Sequence, residues 1–176
     1  MFSQEKVLQE ILYLLSLNGG EMSLLKLMKE LYLIDRESIK ERDSSISGDE
    51  FFSLRHGPVL SYTLNMLNNL EQTEWKNKLE KKEHQYYPII KKLDQVDYDL
   101  LSDKDKDYIR TVSDTFKSMS DWDIVEYTHT LKEWTNPGYT SRKIRFSEVM
   151  RALGKDEEEI RQAKAEYNFF NELARA

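Results

Sequence analysis

The chain has 176 residues, 39% of them hydrophobic and 33% charged, with no cysteine and a formal net charge of −6. The missing cysteine excludes disulfides, thiolate metal sites and a thiol nucleophile. The acidic balance opposes a phosphate backbone as the main partner, so nucleic acid is not expected.

Length and few breakers (6 Gly, 3 Pro) point to one domain over 1–176, mainly α within an α+β class. The expected architecture is a compact bundle of six or seven helices with a small antiparallel hairpin or sheet, and residues 155–176 form a C-terminal helix. Aromatic side chains make up 11% of the chain, enough bulk to offset the entropy of folding. Met1 is not followed by a basic and then an apolar stretch, and no apolar run approaches the roughly 18 residues of a membrane span. The expected location is the cytoplasm, with no membrane contact.

Val7, Leu8, Ile11, Leu12, Leu14 and Leu15 recur at helical steps between Glu5 and Leu17, and Asn18-Gly19-Gly20 supplies the stop. Ser23 caps a second helix, apolar around most of its girth (Leu24, Leu25, Leu27, Met28, Leu31 to Ile34), which reads as central. Gly48-Asp49 marks a turn and Glu50–Arg55 a short strand. Pro58 is taken as the first position of a third helix continuing through Val59, Leu60, Leu64, Leu67 and Leu70, with Gly57 turning the chain before it.

Glu71–Gln85 carries charges of both signs and reads as a solvated connection or exposed helix. Tyr86-Tyr87-Pro88-Ile89-Ile90 is β-prone, is confined to a sheet edge by its proline, and is expected to pair with Phe51-Phe52. Ser102 with Asp105, and Ser120 with Asp123, are capping boxes for a fourth and a fifth helix. Trp134–Gly138 is a turn, and Arg142, Lys143 and Arg145 form a basic cluster on a loop. Phe146–Leu153 is a short helix, and Asp156 with Glu159 starts a last one along Ile160, Ala163, Tyr167, Phe170 and Ala174.

No glycine-rich phosphate loop, nucleophile elbow or other cofactor motif is present, so no cofactor is expected. The only histidine–carboxylate pairs at i, i+4 spacing, Glu80 with His84 and Glu133 with His129, are what chance supplies in so acidic a chain, and no metal is expected. A catalytic role for His56 and His129 requires that they meet each other or a carboxylate in a concave site. A winged-helix regulator of its own promoter is the alternative to a protein-binding role, although Val59–Leu70 offers no lysine or arginine to a groove.

Two segments taken together, Lys26-Leu27-Met28-Lys29-Glu30-Leu31-Tyr32-Leu33-Ile34-Asp35-Arg36 and Ser47-Gly48-Asp49-Glu50-Phe51 with His56-Gly57-Pro58-Val59, resemble the Panacea domain of SocA-like antitoxins. Trp122, His129 and Trp134 agree with it, and the resemblance spans roughly residues 5 to 150. Glu30 and Ser53 depart from it, standing where an apolar residue and an alanine are usual, and both are expected on a partly exposed face. The resemblance implies an antitoxin that binds a cognate protein toxin, in some cases as an adaptor to a protease. It is compatible with a homo-oligomer and with a bacterial or phage origin. Tyr32, Gly48, Gly57, Pro58 and Trp134 would then shape the scaffold. Asp35, Asp49, Arg55, His56 and His129 would be polar groups beside it, with either a structural or a partner-binding role.

Overall fold

A computed structural model describes residues 1–93 and 97–173. Seven α-helices occur among them: α1 (Gln4–Leu17), α2 (Leu24–Arg42), α3 (Ser61–Asn68), α4 (Asp103–Phe116), α5 (Asp121–His129), α6 (Phe146–Ala152) and α7 (Glu157–Leu173). The strands are β1 (Glu21–Ser23), β2 (Phe51–Leu54), β3 (Gly57–Leu60), β4 (Leu79–Lys82), β5 (Ile89–Lys92) and β6 (Arg142–Ile144). They make two three-stranded antiparallel sheets, ordered β1-β5-β4 and β3-β2-β6. No helix among the described residues is long and apolar enough to cross a membrane.

The caps do what local chemistry dictates. The Ser23 hydroxyl accepts from Lys26 N–H at 3.1 Å, and both capping boxes, Ser102 with Asp105 and Ser120 with Asp123, are closed in both directions. Asp156 and Glu159 cap α7 reciprocally, Ile160 and Ala163 are buried, and the side chains of Tyr167 and Phe170 and the whole of Ala174 lie outside the described residues. Helix α2 is central: α4, α5, α6 and β3 pack around it, and α1 packs on α4 and β5. Leu27, Leu31, Tyr32 and Ile34 are all fully buried within it.

Four expectations about the strands and turns are corrected. Pro58 does not open a helix: it lies in β3 opposite Ser53, and α3 starts only at Ser61. Ser61 N–H donates to Glu50 C=O at 2.8 Å, so hydrogen-bonded pairs fall at every second position from there and Ser53–Pro58 falls between them. The missing N–H of proline therefore faces the open edge, where it costs the ladder nothing.

Nor does the Tyr86–Ile90 run pair with Phe51-Phe52. Its strand, β5, is the middle one between β1 and β4, with Pro88 just outside the ladder and its carbonyl accepting from Leu24 N–H at 2.7 Å. The Glu71–Gln85 segment is more than a solvated connection, for it holds two 3₁₀ turns, strand β4 and the buried Trp75. Arg142 and Lys143 belong to strand β6, which pairs with β2 from Ser53 to Phe51, so the basic cluster is not a loop.

Burial of polar groups on α2 and β2 exceeds what the sequence implies. Glu30 and Ser53 are fully buried, not partly exposed. Both Glu30 carboxylate oxygens lack a hydrogen-bond partner, and Lys26 Nζ stands 4.0 Å away. Burial pushes the Glu30 carboxyl up to about 7, against a small opposing pull from Lys26.

The folded chain thus holds a proton that the unfolded chain releases near 4.5, so stability is fullest below that pH and declines as pH rises to about 7. Glu30→Gln is expected to remove about 2–3 kcal/mol of this decline between acid and pH 8. Urea unfolding of both proteins at several pH values checks it, and parallel pH profiles would refute it.

Candidate functional site

Asp35 and Asp49 are both buried and both organise the 44–63 segment. Asp35 accepts from Ile46 N–H at 2.7 Å, Ser47 N–H at 3.0 Å and the Ser47 hydroxyl, which fixes the loop leaving α2. Burial pushes its carboxyl up to about 6, against the pull of the Ser47 and Ile46 bonds. Asp49 accepts from Tyr62 N–H at 3.0 Å, Thr63 N–H at 2.9 Å and the Thr63 hydroxyl at 2.7 Å. It acts as a remote cap for α3, whose own N-cap residue, Leu60, offers no side-chain bond. The oxygens of both carboxylates are engaged by backbone and hydroxyl donors. Gly48, at φ 65°, sits between them with its α-carbon close against the backbone of Met1.

The β2–β3 turn rests on α2 and α5. Lys29 is buried, and its Nζ donates at 2.9 Å to the carbonyl of Pro58, the edge-facing group that no strand covers. Burial lowers the Lys29 amine to about 7. Gly57 has φ 100°, and its α-carbon lies against the Thr128 hydroxyl and the end of Lys29. Trp134 Nε1–H donates to Leu54 C=O at 3.0 Å, closing the other side of the turn. Tyr32 hydroxyl donates to Glu133 at 2.8 Å and Arg36 Nε–H donates to the same oxygen at 2.7 Å, tying α2 to the segment that leads into Trp134.

These contacts hold up an aromatic surface. His129 stacks on Trp134 at 3.9 Å with the rings 12° from parallel. Trp122 is 51% exposed, and His56 and Tyr87 meet it in T-shaped geometry at 5.5 and 6.3 Å. Arg55 is exposed and lies over the ring of the fully open Tyr139 at 4.9 Å. The His56 imidazole is held below its usual range by burial, then by the nearby charges of Arg55, Lys29 and His129. Arg55, His56 and His129 are thus brought together at one face, and Asp35 and Asp49 are not part of it.

The model of the SocA-like antitoxin family, Panacea domain, matches residues 27–135. The chain belongs to the Panacea family. Comparison with curated proteins and with solved structures gives no match in either case. The Panacea match is shorter at both ends than the resemblance over roughly 5 to 150, yet it includes every residue of the aromatic face named above except Tyr139. Strand β6 and helices α6 and α7 lie beyond it. The family carries an antitoxin role.

Neither imidazole of the His56–His129 pair is hydrogen-bonded to the other or to a carboxylate among the described residues: Glu126 stands 3.9 Å from His129 Nδ1, and His129 Nε2 is buried without a partner. Two clefts of about 320 and 680 Å³ have neither histidine in their walls. Glu133 is held by Tyr32 and Arg36, and Glu80 lies 3.6 Å from Lys82. In the basic cluster, Lys143 pairs with Glu50 at 2.6 Å and Arg142 with Glu148, which weakens the field a nucleic acid would meet.

Lys29, Tyr87 and Glu133 also belong to this architecture, in roles that the motif does not single out. The signal for Lys29 was present: a helix apolar on two faces has little exposed surface left for a polar residue within it. Tyr87 and Glu133 carried no such signal, because only the tertiary fold brings them to Trp122 and Arg36.

Proposed function

We propose that this Panacea protein binds and neutralises a cognate protein toxin through the face formed by the Arg55-His56 turn, Tyr87, the outer side of α5 and Trp134. The observation that supports the reading is the Trp122 cluster, in which a half-exposed tryptophan meets His56 and Tyr87 where separate segments of the chain converge. Half-open tryptophans of this kind supply much of the energy of protein interfaces. In this reading the chain contributes contact rather than chemistry, and the buried hydrogen bonds of Asp35, Asp49, Lys29 and Glu133 keep the face in shape.

The test is co-expression with the product of a neighbouring reading frame that arrests growth alone. Trp122→Ala, at an exposed position, is expected to leave the fold intact and to weaken toxin binding by about 30-fold, enough to abolish rescue of growth. Unchanged rescue and unchanged co-purification would sink the reading. If the protein also acts as an adaptor, the toxin level falls in cells that hold the relevant protease and recovers when it is deleted.

A further inference from the structure

On α5 the residues Trp122, Glu126 and His129 follow at steps of four and three, so they lie on one face of the helix. The Glu126 side chain is 80% exposed. Asp121 precedes Trp122, and its charge is felt by the hydroxyl of Tyr87, which burial first and Asp121 second push above its usual range. Two carboxylates therefore flank the open Trp122 surface.

The cations of the neighbourhood are otherwise engaged. Arg55 lies over Tyr139, Lys29 is buried on Pro58 C=O, and Lys26 donates to Lys117 C=O at 3.2 Å and Met119 C=O at 2.7 Å. Among the described residues, no lysine or arginine nitrogen comes within ion-pair distance of Asp121 or Glu126, and the approach of His129 to Glu126 at 3.9 Å is too long for a hydrogen bond. A tryptophan ring bordered by two unpaired carboxylates is the complement of a cation: the ring attracts it by its quadrupole and the acids by charge.

We propose that this stripe of α5 receives an arginine-bearing segment of the protein partner, the guanidinium stacking on Trp122 and bonding to Asp121 and Glu126. Arginine is favoured over lysine because its planar, weakly hydrated group stacks and bridges carboxylates at once. The inference rests on the docking face described above and adds the chemistry of what occupies it.

The probe is the peptide acetyl-Gly-Arg-Gly-Arg-Gly-amide, titrated into protein labelled at the tryptophan indole nitrogens and followed by NMR, with the Gly-Glu-Gly-Glu-Gly counterpart as control. The Trp122 signal, assigned by its loss in Trp122→Leu, is expected to shift with the arginine peptide alone. The double variant Asp121→Asn, Glu126→Gln is expected to weaken this response by about tenfold, and added salt to reduce it further. Equal response to both peptides, or indifference to the double variant, overturns the proposal. So does a dimer that forms with rising concentration and is lost in Trp122→Leu without any peptide response, because the occupant is then a second copy of the chain.

Toxin rescue separates this from the broader reading. If Trp122→Leu abolishes rescue and the double variant leaves it whole, the docking face stands and the basic partner segment falls. If the arginine peptide binds as expected but rescue ignores Trp122→Leu, the site for a basic segment stands and the toxin is docked elsewhere.

Discussion

Gly57→Ala is expected to destabilise the protein by about 3–4 kcal/mol, a large share of the total stability of a domain. Two separate costs add. The φ of 100° lies where residues with a β-carbon rarely go, and the added methyl would be driven into the Thr128 hydroxyl and to 3.2 Å from Lys29 Cε. Neither neighbour can yield cheaply: the Thr128 hydroxyl donates to Val125 C=O at 2.8 Å, and Lys29 is locked on Pro58.

The control is Gly138→Ala, at φ 66° with nothing within 4 Å of the new methyl, for which only the backbone cost of about 1 kcal/mol is expected. Adding Thr128→Ala to Gly57→Ala should recover part of the loss by removing the collision while leaving the backbone cost. Urea unfolding curves for the four proteins decide it, and a Gly57→Ala loss no larger than that of Gly138→Ala would refute the packing argument.

Arg36→Ala is expected to cost about 3–5 kcal/mol, because it strands the buried Glu133 carboxylate with the Tyr32 hydroxyl as its remaining side-chain donor. For a chain of this size that is a fall in melting temperature of about 10 °C. Glu133→Gln made in the Arg36→Ala background should return much of the loss by discharging the stranded group. Tyr32→Phe, which removes one donor and leaves the ion pair, should cost only about 1–2 kcal/mol. If Arg36→Ala and Tyr32→Phe prove equal, Glu133 is not the buried charge that the geometry makes it.

What could be read from the sequence was what local chemistry encodes. Ser23, Ser102, Ser120 and Asp156 mark helix starts because a cap is satisfied within three residues of itself. The strands are three or four residues long, too short for alternation to specify a partner, so the pairing of β5 with β1 and of β2 with β6 is set by tertiary packing. Arg142 and Lys143 gave no strand signal, because both side chains face water and only Ile144 is buried. Pro58 carries the same information at a helix start and on a sheet edge, since both need a residue without an N–H.

At the candidate site the residue types were legible, but their depth was not. Asp35, Asp49, His56 and His129 are all polar residues of the motif segments, yet the first two are buried and the last two edge the exposed face. Trp122 agrees with the family resemblance, but nothing in its sequence context signals its half-exposure, which comes from the way the Arg55-His56 turn and Tyr87 meet α5 without covering it.

Within each sheet the strand pairs differ in how far along the chain their partners lie. β2 and β3 are joined by a turn and register Leu54 against Gly57, whereas β1 finds β5 through Met22 and Ile90, and β2 finds β6 through Phe52 and Lys143. Closing a long loop costs entropy before any contact repays it, so the hairpin belongs among the early folding events and the β1–β5 and β2–β6 seams among the late ones. Substitutions in the hairpin should therefore slow folding, and those in β6 should chiefly hasten unfolding. The turn that carries Arg55 and His56 is then in place before the last strand of its sheet arrives.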